Sequence, residues 1–129
     1  MKANELRIGN LVYYRKEDYK VVLIAEDLIK IDIGYGAVQR FEKNPIISPN
    51  IDELKPIPLT EEWLLKFGFY KVNHIGGYSF YAHKKNNFDI YLDEKKIKWY
   101  GHITQCKFFV HSFQNLYYEI QNNELELKP

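Results

Sequence analysis

Short runs of alternating hydrophobic and polar residues fill both halves of the chain and predict antiparallel strands rather than long helices. In the first half these runs cover residues 6–14, 19–24, 28–33 and 36–41. Turn-forming residues separate them, and the short spacing between runs favours hairpin connections. The pattern therefore predicts a small, SH3-like antiparallel β-barrel as an N-terminal subdomain over residues 1–43.

A proline-rich segment follows this subdomain. Four of the five prolines fall between positions 45 and 58. Proline cannot donate a backbone hydrogen bond to a sheet, and it biases the preceding residue towards an extended conformation. We therefore expect residues 44–59 to form a connector.

The remaining residues, 60–129, predict a helix, an antiparallel sheet and a C-terminal helix packed as one unit. Thr60 is a suitable N-cap and Gly68 a suitable C-terminal stop for a short helix over residues 61–67. Strand-like runs follow at 78–84, 88–92, 97–103 and 106–110, and apolar residues at helical spacing come after position 112. The predicted fold class is α+β.

Composition narrows the functional classes. The chain has 129 residues, a formal charge of +1 and 16% aromatic residues, a content that favours sheets. The near-neutral charge argues against strong nonspecific binding to duplex nucleic acid. The single cysteine, Cys106, excludes an intramolecular disulfide and favours a reducing compartment. No apolar run reaches the roughly 20 residues of a membrane span, so we expect a cytoplasmic protein.

The alternation divides the second predicted sheet into an apolar face and a basic aromatic face. Residues 71–111 contain seven lysines and three acidic residues, a local balance of +4 that the total charge conceals. The candidate binding face consists of Tyr81, His83, Tyr91, Lys98, Tyr100, His102, Lys107, Phe109 and His111.

Aromatic rings next to lysines are typical of surfaces that bind single-stranded nucleic acid, because the rings stack on bases and the lysines neutralise phosphates. The alternative is that the C-terminal helix or the N-terminal subdomain covers this face. In that case Tyr91, Tyr100 and Phe109 belong to the core. If the face is open, a protein and an RNA are equally good partners.

Metal binding and catalysis have less support. His102, Cys106 and His111 match no zinc-ligand spacing, and the alternation places Cys106 on the opposite face from His102. Asp89 and Asp93 could meet His102 across the sheet, but no nucleophile has an evident partner. We therefore predict no metal, no other cofactor and no enzymatic activity.

Three segments carry a resemblance to a protein family. They are LRIGNLV at residues 6–12, IPLTEEWLLKFGF at 57–69 and VHSFQNLY at 110–117. With these segments the chain resembles small proteins of Bacteroidota phages, prophages and other mobile elements. The resemblance spans most of the chain, but the middle of the second sheet departs from the family pattern. No established catalytic or binding residue of the family can be transferred to this sequence.

The resemblance implies a biological setting. Small non-enzymatic proteins of such elements often bind and inhibit host defence complexes. It implies an anti-CRISPR protein that binds an RNA-guided nuclease, such as a Cas13b-type RNase, or its guide RNA. The alternatives are a single-stranded nucleic-acid-binding module of mobile-element maintenance and a small phage structural or assembly protein.

Overall fold

Two antiparallel sheets and two α-helices make up the described part of the chain, which confirms the predicted α+β class. The computed structural model describes residues 1–25, 28–32, 46–73, 76 and 79–128. The chain divides into two compact units. Unit 1 comprises Met1–Ile57 and Phe109–Glu124, and unit 2 comprises Pro58–Phe108 and Leu125–Pro129.

Unit 1 contains a four-stranded sheet whose strands follow chain order. They are β1 (Leu11–Tyr14), β2 (Glu17–Ala25), β3 (Leu28–Asp32) and β4 (Ile46–Ile47). Val21 pairs with Ile31 and Ile31 with Ile47, so these three side chains share one face. That face packs into a buried cluster with Val12 and Leu54.

The described strands of unit 1 form an open sheet, and no closed barrel is found among them. The predicted run at 36–41 lies outside the described residues. The predicted connector is largely part of unit 1, because it contributes β4, a 3₁₀ helix (Ile51–Glu53) and the buried Leu54. Tyr13 and Lys55 also exchange two backbone hydrogen bonds of 2.9 Å each.

The C-terminal helix, α2 (Val110–Gln121), belongs to unit 1. The predicted division placed it with the second sheet, so this part of the division is corrected. The physical reason lies in two polar side chains, Gln114 and Asn115, which hydrogen-bond to the loop before β1. The helix ends at Gln121, and the next residue, Asn122, caps it with a left-handed φ of +58°.

Unit 2 begins with a short helix, α1 (Glu61–Lys66), within the predicted range. Its C-terminus is a Schellman motif. The Phe69 N–H donates to the Leu64 carbonyl at 2.9 Å, and the Gly68 N–H donates to the Leu65 carbonyl at 3.0 Å. Gly68 has a φ of +89°, which explains why the helix stops at a glycine.

The sheet of unit 2 is a five-stranded meander. Its strands are β5 (Tyr70–Asn73), β6 (Ser79–Ala82), β7 (Phe88–Tyr91), β8 (Lys96–Trp99) and β9 (His102–Ile103). Strand β5 was not among the predicted runs. The predicted run 97–103 is two strands, because a turn at Tyr100–Gly101 interrupts it. The predicted strand at 106–110 is absent, since residues 104–107 have no regular structure and Val110 begins α2.

Within the described part of the chain, no helix is long and apolar enough to cross a membrane.

Candidate binding surface

Strand register sorts the side chains of unit 2 onto an inner and an outer face of the sheet. Directly paired residues of an antiparallel sheet share a face. Tyr81 pairs with Ile90 and Ile90 with Ile97, which defines the inner face. The adjacent positions define the outer face, which consists of Tyr70, Val72, Phe80, Ala82, Asp89, Tyr91, Lys96, Lys98 and Ile103.

The inner face is buried. Phe88 and Ile90 are fully buried, and Tyr81 is only 3% exposed. The Tyr81 hydroxyl donates a hydrogen bond to the Glu61 carboxylate at the start of α1. Burial and this carboxylate raise the pKa of Tyr81 to about 12. Tyr81 is therefore a core residue, which corrects its assignment to the candidate face.

His83 lies just after β6 and has local contacts. Its ring meets the Phe69 ring edge-on with centroids 5.0 Å apart, and its Nδ1 accepts a hydrogen bond from the Lys85 N–H at 3.0 Å. Burial lowers the pKa of His83. These contacts give His83 a structural role at the end of β6.

The centre of the outer face is a row of three side chains from adjacent strands. The Phe80 ring stacks on the Tyr91 ring with centroids 5.3 Å apart and an interplanar angle of 27°. From the other neighbouring strand, the Lys98 Nζ lies 4.9 Å from the Tyr91 ring centroid. All three side chains are half-buried. Because Phe80 and Lys98 contact the Tyr91 ring from the two neighbouring strands, the row is a packed surface and does not present an open ring for base stacking.

The rim of the outer face combines apolar and charged groups. Tyr70 on β5 is 45% exposed and Ile103 on β9 is 58% exposed. Asp89 lies opposite Lys98 in the register. Burial raises the pKa of Asp89, and the Lys98 charge opposes that shift. Lys96 also lies on this face, and its Nζ pairs with the Glu94 carboxylate at 2.9 Å, so the apolar and aromatic centre is surrounded by mixed charge.

The structure brings together only two of the nine predicted binding residues, Tyr91 and Lys98, on the outer face. Tyr100 lies in the β8–β9 turn, and His102 pairs with Trp99 and so has inner-face parity, although it is exposed. Lys107 is exposed in the irregular segment that follows β9. For His102 the alternation gave the wrong face because the turn at Tyr100 reverses the facing of the residues after it, whereas Tyr81 has inner-face parity through its pairing with Ile90.

Sequence reasoning missed Tyr70, Val72, Phe80 and Ile103. Gly101, a residue typical of two-residue hairpin turns, was the signal that would have divided the 97–103 run correctly. It would have moved Ile103 to the same face as Lys98.

Phe109 and His111 are part of unit 1, which also corrects their placement on the candidate face. The two rings stack with centroids 6.0 Å apart. The His111 ring is only 2% exposed, and its Nε2 lies 4.0 Å from the Glu5 carboxylate. These residues help to pack the start of α2.

The first and third signature segments meet in unit 1. The Asn10 side chain donates to the Asn115 side chain at 2.8 Å, and Asn115 donates to the Glu5 carbonyl at 2.9 Å. Arg7 forms an ion pair with Glu124, and its guanidinium lies 4.1 Å from the Tyr118 ring centroid. The signature residues therefore hold α2 against the N-terminal loop.

No three His, Cys, Asp or Glu side chains cluster closely enough to hold a metal ion among the described residues. The Cys106 Sγ donates to the Lys107 carbonyl at 3.2 Å, and burial raises the pKa of this thiol to about 12. Cys106 is half-buried, and a thiol with a raised pKa is a poor nucleophile and a poor metal ligand.

No family model, curated protein or solved structure matches the chain. The residues of the two units, and the resemblance of the three signature segments, therefore carry what can be proposed of the function.

Proposed function

We propose that this chain is a non-enzymatic binding protein of a phage or mobile element that inhibits a host RNA-guided nuclease by binding the effector complex. The class of target comes from the resemblance of the signature segments. The contact surface in this proposal is the outer face of unit 2. The observation that carries it is the row of Phe80, Tyr91 and Lys98 at the centre of that face.

The composition of the outer face supports a protein contact. Protein interfaces are enriched in aromatic residues at their centres and have polar rims. Here stacked rings lie at the centre, and Tyr70 and Ile103 expose apolar surface on the two edge strands. Exposed apolar patches of this kind mark interaction sites, because covering them with a partner removes apolar surface from water.

The charges of the outer face are mixed. Lys98 lies opposite Asp89, and the Lys96 Nζ pairs with the Glu94 carboxylate at 2.9 Å. Balanced charge around stacked rings suits a protein partner better than a phosphate backbone, whose binding depends on an excess of positive charge. We therefore assign the outer face to the protein part of the effector complex.

The test is inhibition of target-RNA cleavage by a purified Cas13b-type effector loaded with guide RNA. The variant Tyr70→Asp/Ile103→Asp places charge on both exposed edges of the outer face without touching the buried core. We expect at least about a tenfold loss of inhibitory potency, since two new carboxylates on apolar surface that the partner covers would be costly to desolvate. The control is Leu65→Asp, an equally exposed apolar residue of unit 2 that lies on α1, outside the outer face.

Two results would contradict the proposal. Full potency of the double variant would remove the outer face as the contact surface. Absence of both binding and inhibition by the wild-type protein would remove this class of effector as its target. Tryptophan fluorescence checks folding, because Trp63 and Trp99 both belong to unit 2.

A further inference from the structure

We infer that the β8–β9 turn is a stacking site for a base of single-stranded nucleic acid, with Tyr100 as the stacking ring. This site is separate from the outer face, and its ligand does not depend on the identity of the effector. Tyr100 is 62% exposed. It therefore offers the accessible ring that Tyr91 lacks.

The turn holds the ring in a defined place. Trp99 pairs with His102, which leaves a two-residue loop of Tyr100 and Gly101 with φ values of +49° and +79°. These values are typical of a type I′ turn. The Trp99 and Tyr100 rings meet edge to face, with centroids 4.8 Å apart and an interplanar angle of 79°. Trp99 thus supports the tyrosine ring without stacking on it.

Turn geometry does not explain the choice of tyrosine. The first position of a type I′ turn favours Asn, Asp or Gly, because bulky residues are strained at positive φ. Arg15 in the β1–β2 turn has a φ of +46°, so strain alone does not distinguish the two turns. What distinguishes Tyr100 is the combination of an unfavourable backbone position with a large exposed aromatic surface.

The charge around the turn favours a polyanion over an apolar protein pocket. Residues 97–108 contain Lys98 and Lys107 and no aspartate or glutamate, while Lys96, at the opposite end of β8, pairs with Glu94. His102 and Lys107 in this stretch are exposed. An exposed ring within an acid-free, lysine-containing stretch suits a ligand that has both a flat base and a phosphate.

The experiment is a titration of fluorescein-labelled single-stranded oligoribonucleotides with the purified full chain, followed by anisotropy at low and physiological salt. The main variant is Tyr100→Asn, which suits the turn better than tyrosine. We expect roughly tenfold weaker binding, the lower part of the range for loss of one stacked base. Its melting temperature should equal or exceed that of the wild type, because asparagine tolerates positive φ.

Two further variants define the chemistry of the site. Tyr100→Trp should keep wild-type affinity, because a ring is still present. Lys107→Gln should lower the salt dependence of binding, by a slope of about 0.7 for one phosphate contact. The control is Leu65→Asn, which removes an exposed apolar side chain of unit 2 from α1, outside both proposed surfaces, and should leave affinity unchanged.

Failure of wild-type binding at low salt, or wild-type affinity of Tyr100→Asn, would overturn the inference. An equal loss in Leu65→Asn would also overturn it, because binding would then not depend on the turn. If Tyr100→Asn weakened capture of the effector protein while the wild type bound no oligonucleotide, Tyr100 would be a protein anchor instead. The assay contains no effector, so its failure is distinguishable from failure of the proposed inhibition.

Discussion

The buried side chain of Gln114 connects α2 to the N-terminal loop of unit 1, and its removal should destabilise that unit strongly. Its Oε1 accepts a hydrogen bond from the Leu11 N–H at 2.8 Å, and its Nε2 donates to the Gly9 carbonyl at 3.3 Å. Gln114 is 4% exposed and Leu11 is 9% exposed, so water cannot readily replace these bonds. Gln114→Ala leaves a buried donor and a carbonyl without their partner.

The expected cost follows from these two bonds. An unsatisfied buried N–H costs about 1–3 kcal/mol, and loss of the longer bond to the Gly9 carbonyl adds about 1 kcal/mol. Together they lower the free energy of unfolding of unit 1 by about 2–4 kcal/mol. For a unit of this size the melting temperature should fall by roughly 10 °C or more.

The assay is urea unfolding followed by circular dichroism, with amide hydrogen exchange at Leu11 as the local readout. Gln114→Met keeps the side-chain volume but removes both hydrogen bonds, so it measures their loss without a cavity. It should lower the free energy of unfolding by most of the amount expected for Gln114→Ala. Glu119→Ala, an exposed change on the same helix, is the control. A loss below about 0.5 kcal/mol in both Gln114 variants would refute the structural role of this side chain.

Three further predictions concern unit 2. Gly68→Ala should lower the free energy of unfolding by about 1–3 kcal/mol, because the added Cβ would lie 3.0 Å from the His83 Nε2 and φ is +89°. Gly101→Ala should lower it less in the same urea titration, because φ is +79° but no atom of the described residues lies within 4 Å of the added Cβ. The Cys106 thiol, with a pKa raised to about 12, should react with a disulfide reagent on the order of 100-fold more slowly in the folded than in the urea-unfolded chain, and equal rates would contradict this. Burial lowers the pKa of His83 below 6.5, so the unfolded chain takes up the proton before the folded chain as the pH falls. The His83 contribution to stability is therefore complete above pH 6.5 and decreases below it. His83→Gln should reduce this decrease, as measured by fluorescence-detected unfolding.

Local signals predicted the elements that depend on neighbouring residues. The bounds of α1 followed from Thr60 and Gly68, and the Schellman hydrogen bonds at Gly68 give the physical reason. The alternation also found the cores of β6, β7 and β8, because each has at least one buried residue between more exposed neighbours. Such patterns need no knowledge of distant contacts.

Features that depend on turns or on distant partners could not be predicted in the same way. One unrecognised turn at Tyr100 reversed the facing of His102 and Ile103, because side chains alternate along a strand with a period of two. The placement of α2 depended on the side-chain amides of Gln114 and Asn115, more than 100 positions from their partners. Hydrophobic periodicity contains no information on such polar pairs.

The three signature segments and the candidate binding residues occupy different parts of the chain. Segments 6–12 and 110–117 interlock through Asn10 and Asn115 in unit 1, and segment 57–69 forms α1 with its terminating glycine. These segments therefore consist of residues that build the fold. The outer face and Tyr100 lie within residues 70–103, outside the three segments. Exposed positions of a sheet can change without loss of the fold, and specificity resides in the contacting residues. It follows that a relative that keeps the three segments but differs across residues 70–103 should keep this fold and bind a different target.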